Sequence, residues 1–496
     1  MTLISRSDSH SNSSRSGLFA IACIVLSGGL FVLSTGLDGI GVLVWFAPMP
    51  ILILAFQSSL RSSLAASFLA YLIGGLNLAS YLSMLAPGTS VAVYVVVPAI
   101  AFSLSVVLAR FVVLRVQHWI AILVFPSAWT SYEYLLSLLS LHGTAGSLAY
   151  TQSDFLALIQ IASLAGLSGI VFLVTLFSSG IAVGWHRRSD RRYSIQLFRL
   201  TSSILLIVLL FGLTRLTESP TGRLVRVGLA VTDTTIRYFE TTQARLALPV
   251  VDAYAHRVNT LAFRGAQVVL LPEKLVGITQ AYDTTVFRTF IEAAQENRIF
   301  LILGLNTIEP RGNRNTAFVF SPEGEAIIEY NKVHLLPGLE SRYRPGHSPA
   351  IFSLADVPAG VAICKDMDFP EWFRPYGRAG TGVLFVPAWD FLKDARLHSR
   401  MAVMRGVENG FAVVRCAQEG LITVSDHCGR LIAEASSSGA PEVLMVCDFP
   451  LGSGRTFYSF AGDWLAWLSV SFLVVVVAGT VVYRVRKRYL EFVARA

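Results

Sequence analysis

The sequence predicts an α-helical membrane bundle of about 8 transmembrane helices joined to an α/β domain. Three observations carry that expectation. The 496 residues are 53% hydrophobic and only 15% charged, which excludes an ordinary soluble protein. Eight runs approach the roughly 20 apolar residues that a membrane-crossing helix needs. Between about 220 and 460 no such run occurs, and charges and turn residues recur there.

The runs lie near 17–35, 40–56, 64–85, 89–109, 119–138, 156–185, 200–216 and 464–483. The first follows Arg6 and Arg15, lacks a small-residue cleavage site and has further runs close behind it, so it reads as a retained span and not a removed signal peptide. Loop charge then orients the bundle. Arg61, the pair Arg110 and Arg115, the group from Arg187 to Arg199 and the "RVRKR" of 484–488 fall on one side with Arg6 and Arg15. The loops "TGLDGIG", "APGTS" and "LSLHGTAGSLAYTQSDF" on the other side hold no lysine or arginine. The positive-inside rule makes the basic side cytoplasmic. Both termini are then inside, and the chain divides into a membrane domain at 1–219, an extracytoplasmic domain at 220–460, and a last span with a basic tail at 461–496.

Within 220–460 short apolar stretches alternate with helical patterns. "RVRVGLAV", "AQVVLLPE", "IFLILGL", "AFVFSPEGEAIIEY", "GVAICKD" and "GVLFVPAW" read as strands, many apolar throughout as strands covered on both faces are. Pro322–Gly324 reads as a hairpin turn, and helices fall at about 241–264, 283–298 and 395–410. "FAVVRCAQEGLITVSDHCGRLIAEA" returns as a hairpin pair. The five cysteines form an odd set without a CxxC pair, which argues against a disulfide framework or structural zinc and leaves a Cys416–Cys428 bridge conceivable. The net charge of +8 would suggest nucleic acid in a soluble protein, but here the basic residues flank apolar runs and a membrane accounts for them.

Reactive residues stand at the ends of three strand-like stretches. "VVLLPEK" ends on Glu273, "IIEYNKVHLLPGLE" carries Lys332 just after a strand, and "VAICKD" carries Cys364. A thiol needs a base to become a nucleophile, and an anionic tetrahedral intermediate needs a positive partner. Glutamate, lysine and cysteine supply both. On residue types alone the bland reading stays open, with Cys364 a small buried hydrophobe and the other two solvated strand-end charges.

The order "LPEK", "YNKVHLLPGLE", "GVAICKD" resembles the nitrilase, or carbon–nitrogen hydrolase, superfamily, whose fold is an α-β-β-α sandwich. The placement of that domain between a seventh and an eighth membrane helix resembles the apolipoprotein N-acyltransferase family. So do "GSLAYTQSDFLALIQIASLAGLSGIVFLV", "HSRMAVMRGVENGFAVVRCAQEGLITVSDHCGR" and "GRTFYSFAGDW". The resemblance implies that Glu273 is the general base, Lys332 the oxyanion stabiliser, Cys364 the nucleophile and Glu340 a supporting glutamate. Asp366 and Lys365 stand where the family has glutamate and tyrosine, Tyr238 or Phe239 where it has an entrance tryptophan, and Lys274 beside the base where small or polar residues are typical. A second ammonium at Lys365 would favour the Cys364 thiolate, provided the chain bends enough to bring it round; the alternative is that Lys365 points away from the sulfur, pairs with Asp366 or Asp368 and only holds the loop. Glu133, inside the fifth run, is expected to meet polar neighbours, and His142, His334 and His398 to be structural. Trp464 and Trp467 fit an interfacial belt.

The resemblance thus implies a ping-pong acyltransferase of the bacterial cytoplasmic (inner) membrane with its catalytic domain on the periplasmic side. A membrane phospholipid donates the acyl chain, Cys364 carries it as a thioester, and an apolipoprotein amino group accepts it. No cofactor, metal or nucleic acid is expected, and the chain is expected to be a monomer. The alternatives are a membrane-anchored amidase, an acyltransferase for another amine, or a non-catalytic lipoprotein-binding paralogue.

Overall fold

The structure, a computed structural model, describes residues 7–85, 88–217, 222–233 and 235–493. Arg6 lies outside them, as do the side chains of Arg15 and of 484–488 that carry part of the charge asymmetry. The bundle comprises α1 (Ser7–Ser34), α2 (Met49–Ala55), α3 (Leu60–Gly75), α4 (Ala79–Leu85), α5 (Gly88–Val113), α6 (Val124–Leu139), the short α7 (Leu156–Ile159), α8 (Ala162–His186) and α9 (Arg191–Thr217). Among the described residues four stretches are long and apolar enough to cross a membrane: Gly17–Ser34, Val91–Val113, Ala162–His186 and Arg191–Thr217. Gly41–Ala55 and Trp464–Thr480 are apolar but shorter.

Several sequence runs are broken where continuous helices are expected. The run at 40–56 is a 3₁₀ turn, Gly41–Trp45, followed by α2, with Pro48 as its N-cap and Pro50 in its first turn. Proline there lacks the N–H that would continue the earlier turn. The run at 64–85 breaks after Gly75 into a 3₁₀ segment, Leu76–Leu78, and then α4. At the centre of the bundle α8 packs against α6, α9 and α2, and 78% of its apolar 18-residue stretch is buried. Helix α9 approaches α7 so closely that a methyl group at Gly212 would overlap the Ala157 carbonyl.

The second body holds two sheets. The strands are β1 (Leu224–Thr232), β2 (Val268–Leu270), β3 (Gly277–Ile278), β4 (Phe300–Thr307), β5 (Arg314–Phe320), β6 (Ala326–Asn331), β7 (Ala350–Leu354), β8 (Val357–Val361), β9 (Val383–Trp389), β10 (Ala412–Gln418), β11 (Leu421–Ser425), β12 (Leu431–Ser436) and β13 (Glu442–Pro450). One sheet runs β13-β1-β2-β4-β5-β6 with β3 beside β4, and the other runs β12-β11-β10-β9-β8-β7. Val227, Leu229, Val268 and Ile302 of the first sheet share one buried cluster with Val361, Phe385 and Val414 of the second. Helices α10 (Thr235–Tyr238), α11 (Ala244–Phe263) and α12 (Asp283–Asn297) precede or cover the outer face of the first sheet. Helices α13 (Arg374–Arg378) and α14 (Ala395–Asn409) cover the second. The layers are therefore α-β-β-α. Parallel pairs β1-β2, β2-β4, β8-β9 and β9-β10 lie at the centre, which explains why those stretches are apolar throughout. Two further helices, α15 (Phe457–Ala461) and α16 (Trp464–Val493), lead the chain back to the bundle, where α16 packs on α6.

Candidate active site

The C-terminal ends of β2, β8 and β9 meet at one edge of the sandwich, where α/β sheets place their sites. The Glu273 N–H reaches the Ala388 carbonyl at 3.4 Å and so ties the first sheet to the second. Beside it β4 passes so near that a Cβ on Gly304 would lie 2.7 Å from the Glu273 Cα. Only glycine fits such an approach in a strand.

Glu273, Lys332 and Glu340 form a buried ion cluster. Lys332, fully buried, donates to Glu273 Oε1 at 2.9 Å and lies 3.1 Å from Glu340 Oε2. Burial alone would lower the proton affinity of Lys332, but Glu273, then Glu340, then the Cys364 sulfur raise it well above the usual lysine range. Lys332 is a permanent cation here. Asn315 donates to Glu273 Oε1 at 2.5 Å and to Glu340 Oε1 at 3.0 Å. Burial pushes the Glu340 carboxyl up, but Lys332 and Lys274 outweigh it and hold it down at about 2. Lys274 pairs with Glu340 at 2.5 Å and lies 4.8 Å from the Tyr343 ring. Glu340 is therefore an interior residue, not the solvated loop residue that bare spacing would give. Glu273 Oε2 accepts no hydrogen bond from the described residues, which leaves it as the oxygen able to take a proton.

Cys364 stands where β8 gives way to a 3₁₀ turn, Cys364–Asp368, so the stretch that reads as one strand to Asp366 ends at Val361. Its φ of 41° puts a residue other than glycine in the left-handed region, a strain that recurs at reactive positions. The sulfur lies 3.3 Å from the Trp389 carbonyl. Burial, followed by the negative charge of Glu273, pushes the thiol well up, and Lys332 opposes this. At rest it is a thiol.

The turn is held by Asp366. Its Oδ2 accepts from the Ile363 N–H at 3.0 Å and from Tyr330 Oη at 2.7 Å, and its Oδ1 from the His334 N–H at 2.8 Å. His334 also packs its ring on Phe369 at 3.8 Å. Asp366 thus fixes the cysteine turn against the segment that carries Lys332.

Lys365 does not face the sulfur. The turn sends it toward the membrane domain, where Nζ pairs with Asp368 Oδ2 at 2.8 Å and lies 3.3 Å from His142 Nδ1. Of the two readings of Lys365 the geometry gives the second, with the ammonium paired to Asp368 and not set beside the thiol. Lys365→Tyr is accordingly expected to leave the pH profile of Cys364 alkylation unchanged, and a rise in the reacting pH would show that the ammonium does reach the sulfur. Of the two aromatics, Tyr238 is half-buried and packs on the core under α11 and α12. Phe239 is the aromatic at this edge, with its ring 4.9 Å from Trp389.

The buried polar groups that the sequence reading missed include Asn315 and Arg415. Asn315 follows Lys332 in the hairpin register, since β5 pairs Thr316 with Asn331 and the Lys332 N–H bonds the Asn315 carbonyl. Counting back from the Pro322–Gly324 turn would have set Arg314 opposite Lys332 instead, because a bulge between Val319 and Phe320 shifts the register by one. Arg415, buried in β10, pairs with Asp390 just after β9, and an arginine inside "AVVRCAQ" was the available signal. Glu133 meets the polar neighbours expected of it, accepting from Trp129 at 2.7 Å, Ser147 at 2.6 Å and the Leu148 N–H at 3.2 Å. Among the described residues no group of three or more His, Cys, Asp or Glu is placed to hold a metal.

A cavity of about 320 Å³ runs from Cys364 and Trp389 into the bundle, where Phe31, Tyr71, Val95 and Trp129 line it. Fold and site together define a carbon–nitrogen hydrolase domain coupled to membrane helices. The carbon–nitrogen hydrolase family model matches residues 238–450, and the model for the apolipoprotein N-acyltransferase N-terminal domain matches residues 27–180. The chain belongs to the apolipoprotein N-acyltransferase family. It is 26% identical to an apolipoprotein N-acyltransferase of Geobacter metallireducens over 92% of this chain and 94% of that one. It is also 26% identical to one of Thermotoga maritima, over 70% and 69%. Among solved structures it is similar to an amidase from Nesterenkonia sp. AN1, 21% identical, with a TM-score of 0.40 over 46% of this chain and 93% of that one.

Proposed function

We propose that this chain moves an acyl chain from a membrane phospholipid, through a thioester on Cys364, to the N-terminal amino group of an apolipoprotein. The observation that carries this reading is the buried Glu273–Lys332–Glu340 cluster around Cys364, at the head of a cavity continuous with the membrane helices. A hydrolase of small soluble amides needs no such cavity. Substrates that carry acyl chains leave the bilayer only at high cost.

In the first step Glu273 Oε2 takes the thiol proton while Sγ attacks the ester carbonyl. Lys332 faces the oxyanion that develops, and its charge is already in place because the two carboxylates hold it there. The intermediate collapses, Glu273 returns the proton to the glycerol oxygen, and lysophospholipid leaves. In the second step an amine displaces the sulfur and the thiol is regenerated. The apolar cavity walls limit competing attack by water.

The test is incubation of the purified protein with a phospholipid labelled in its acyl chain. An adduct of one acyl mass on the peptide containing Cys364, released by hydroxylamine, is the expected result, and its absence refutes the reading. We further propose about eight spans, with 1–219 and 461–496 in the membrane and 220–460 on the periplasmic side. Reporter fusions after residue 320 should then read periplasmic, and those after Arg192 cytoplasmic. The opposite result reverses the orientation.

A further inference from the structure

A second acid–base group lies in the same cavity and has no part in the first acyl transfer. His398, in the first turn of α14, directs Nε2–H to Asp394 Oδ2 at 3.2 Å. Asp394 is anchored by Tyr81 Oη of the membrane domain at 2.6 Å and by the Phe391 N–H at 3.0 Å. Burial would raise the Asp394 carboxyl, but its hydrogen bond and charge contact with His398, then the Tyr81 hydroxyl, hold it down at about 2. It is a carboxylate, so the neutral His398 ring keeps its proton on Nε2 and presents a lone pair at Nδ1.

That nitrogen lies 3.8 Å from Asp368 Oδ1. Asp368 is 1% exposed, and its Oδ2 is occupied by the Lys365 ammonium at 2.8 Å. Its Oδ1 accepts no hydrogen bond from the described residues. While the His398 ring is neutral, two acceptor atoms thus face each other in the cavity, and a donor with two or more protons satisfies both; once protonated, the ring itself turns Nδ1–H toward Asp368. An ammonium has them, and Lys365 shows that this carboxylate takes one. Asp368 closes the same 3₁₀ turn that Cys364 opens, so a ligand held there is near the thioester.

We infer that Asp368, His398 and Asp394 form the site for the acceptor amine: Asp368 Oδ1 and His398 Nδ1 bind its primary ammonium, and His398 takes the surplus proton. This rests on the acyl-transfer reading above. The proton balance requires such a group. An ammonium has no lone pair, so one proton must leave before nitrogen can attack. His398 Nδ1 receives it, the C–N bond forms and the C–S bond breaks. Glu273 carries the second nitrogen proton to the departing sulfur, and His398 later releases the first to solvent. Burial lowers the proton affinity of His398, but Asp394, Asp368 and Asp390 raise it above the ordinary histidine value, which suits it to hold a proton near neutral pH. His142 is the wrong base for this step, since burial and then Lys365 lower its proton affinity.

The two half-reactions separate this site from the first. Protein loaded from a fluorescent phospholipid is mixed with a synthetic diacylglyceryl-cysteinyl peptide or with hydroxylamine, which is neutral near pH 7 and brings no surplus proton. In His398→Gln, transfer to the peptide should slow by about 10²–10⁴-fold, the range of general base catalysis, while hydroxylamine still clears the thioester at the wild-type rate. Asp368→Asn should raise the peptide concentration needed for half-maximal transfer. Unchanged transfer to the peptide overturns the site, and so does an equal fall with both nucleophiles in His398→Gln and in the near-isosteric Asp394→Asn. Failure of the wild-type protein to load at all instead overturns the acyl-transfer reading.

Discussion

Cys364→Ser is expected to abolish acyl-enzyme formation while leaving the fold intact, with a fall of at least about 10⁴-fold, as when the nucleophile of a concerted catalytic group is removed. The thiol is already pushed up by burial and by Glu273, so its deprotonation depends on a base that acts during attack. A serine hydroxyl is harder still to deprotonate and is a weaker nucleophile under the same carboxylate. The fold should survive because an oxygen can keep the contact with the Trp389 carbonyl now made at 3.3 Å. Labelled-phospholipid loading followed by mass spectrometry, with a thermal melt as control, checks both parts. A serine variant that turns over at the wild-type rate removes Cys364 from the mechanism.

Lys332→Met is the second large effect, and it should appear in both activity and stability. Loss of the cation facing the oxyanion should lower acyl-enzyme formation by roughly 10²–10³-fold. The same change leaves Glu273, 2% exposed, without the ammonium that sits 2.9 Å from it. Removing one partner of a buried pair costs about 3–5 kcal/mol, because the remaining charge stays desolvated. Glu340 is protected from that loss by Lys274. Denaturant unfolding should therefore show a clear drop, whereas Lys274→Met should show a smaller one. Loading at the wild-type rate in Lys332→Met would show that the lysine is structural only.

How much of this was legible in the sequence varies by residue. The strand ends carrying Glu273, Lys332 and Cys364 could be read directly, because a charged or nucleophilic residue that interrupts an apolar stretch is a local signal. The layered fold followed from the same stretches once their lack of alternation implied burial on both faces. Helix breaks at Pro48 and after Gly75 were also local, but they were hidden inside runs whose mean hydropathy is uniformly high. The directions of Lys365 and Tyr238 were not legible. A side chain's facing depends on where the strand stops, and β8 stops before the cysteine.

The sequence by itself determined the membrane runs, the α/β block between them and the three strand-end residues, since each depends on composition or spacing within some ten to twenty positions. Only the tertiary structure decided which charges share a site. Glu340 and Asn315 join Glu273 because hairpin register and loop closure carry them there. Asp368 meets His398, and Asp394 meets Tyr81, because the cysteine turn packs on α14 and α4 reaches across from the bundle. Those meetings join residues up to 313 positions apart. No periodicity records such a contact, because what brings the groups together is the shared burial of two sheets and a bundle.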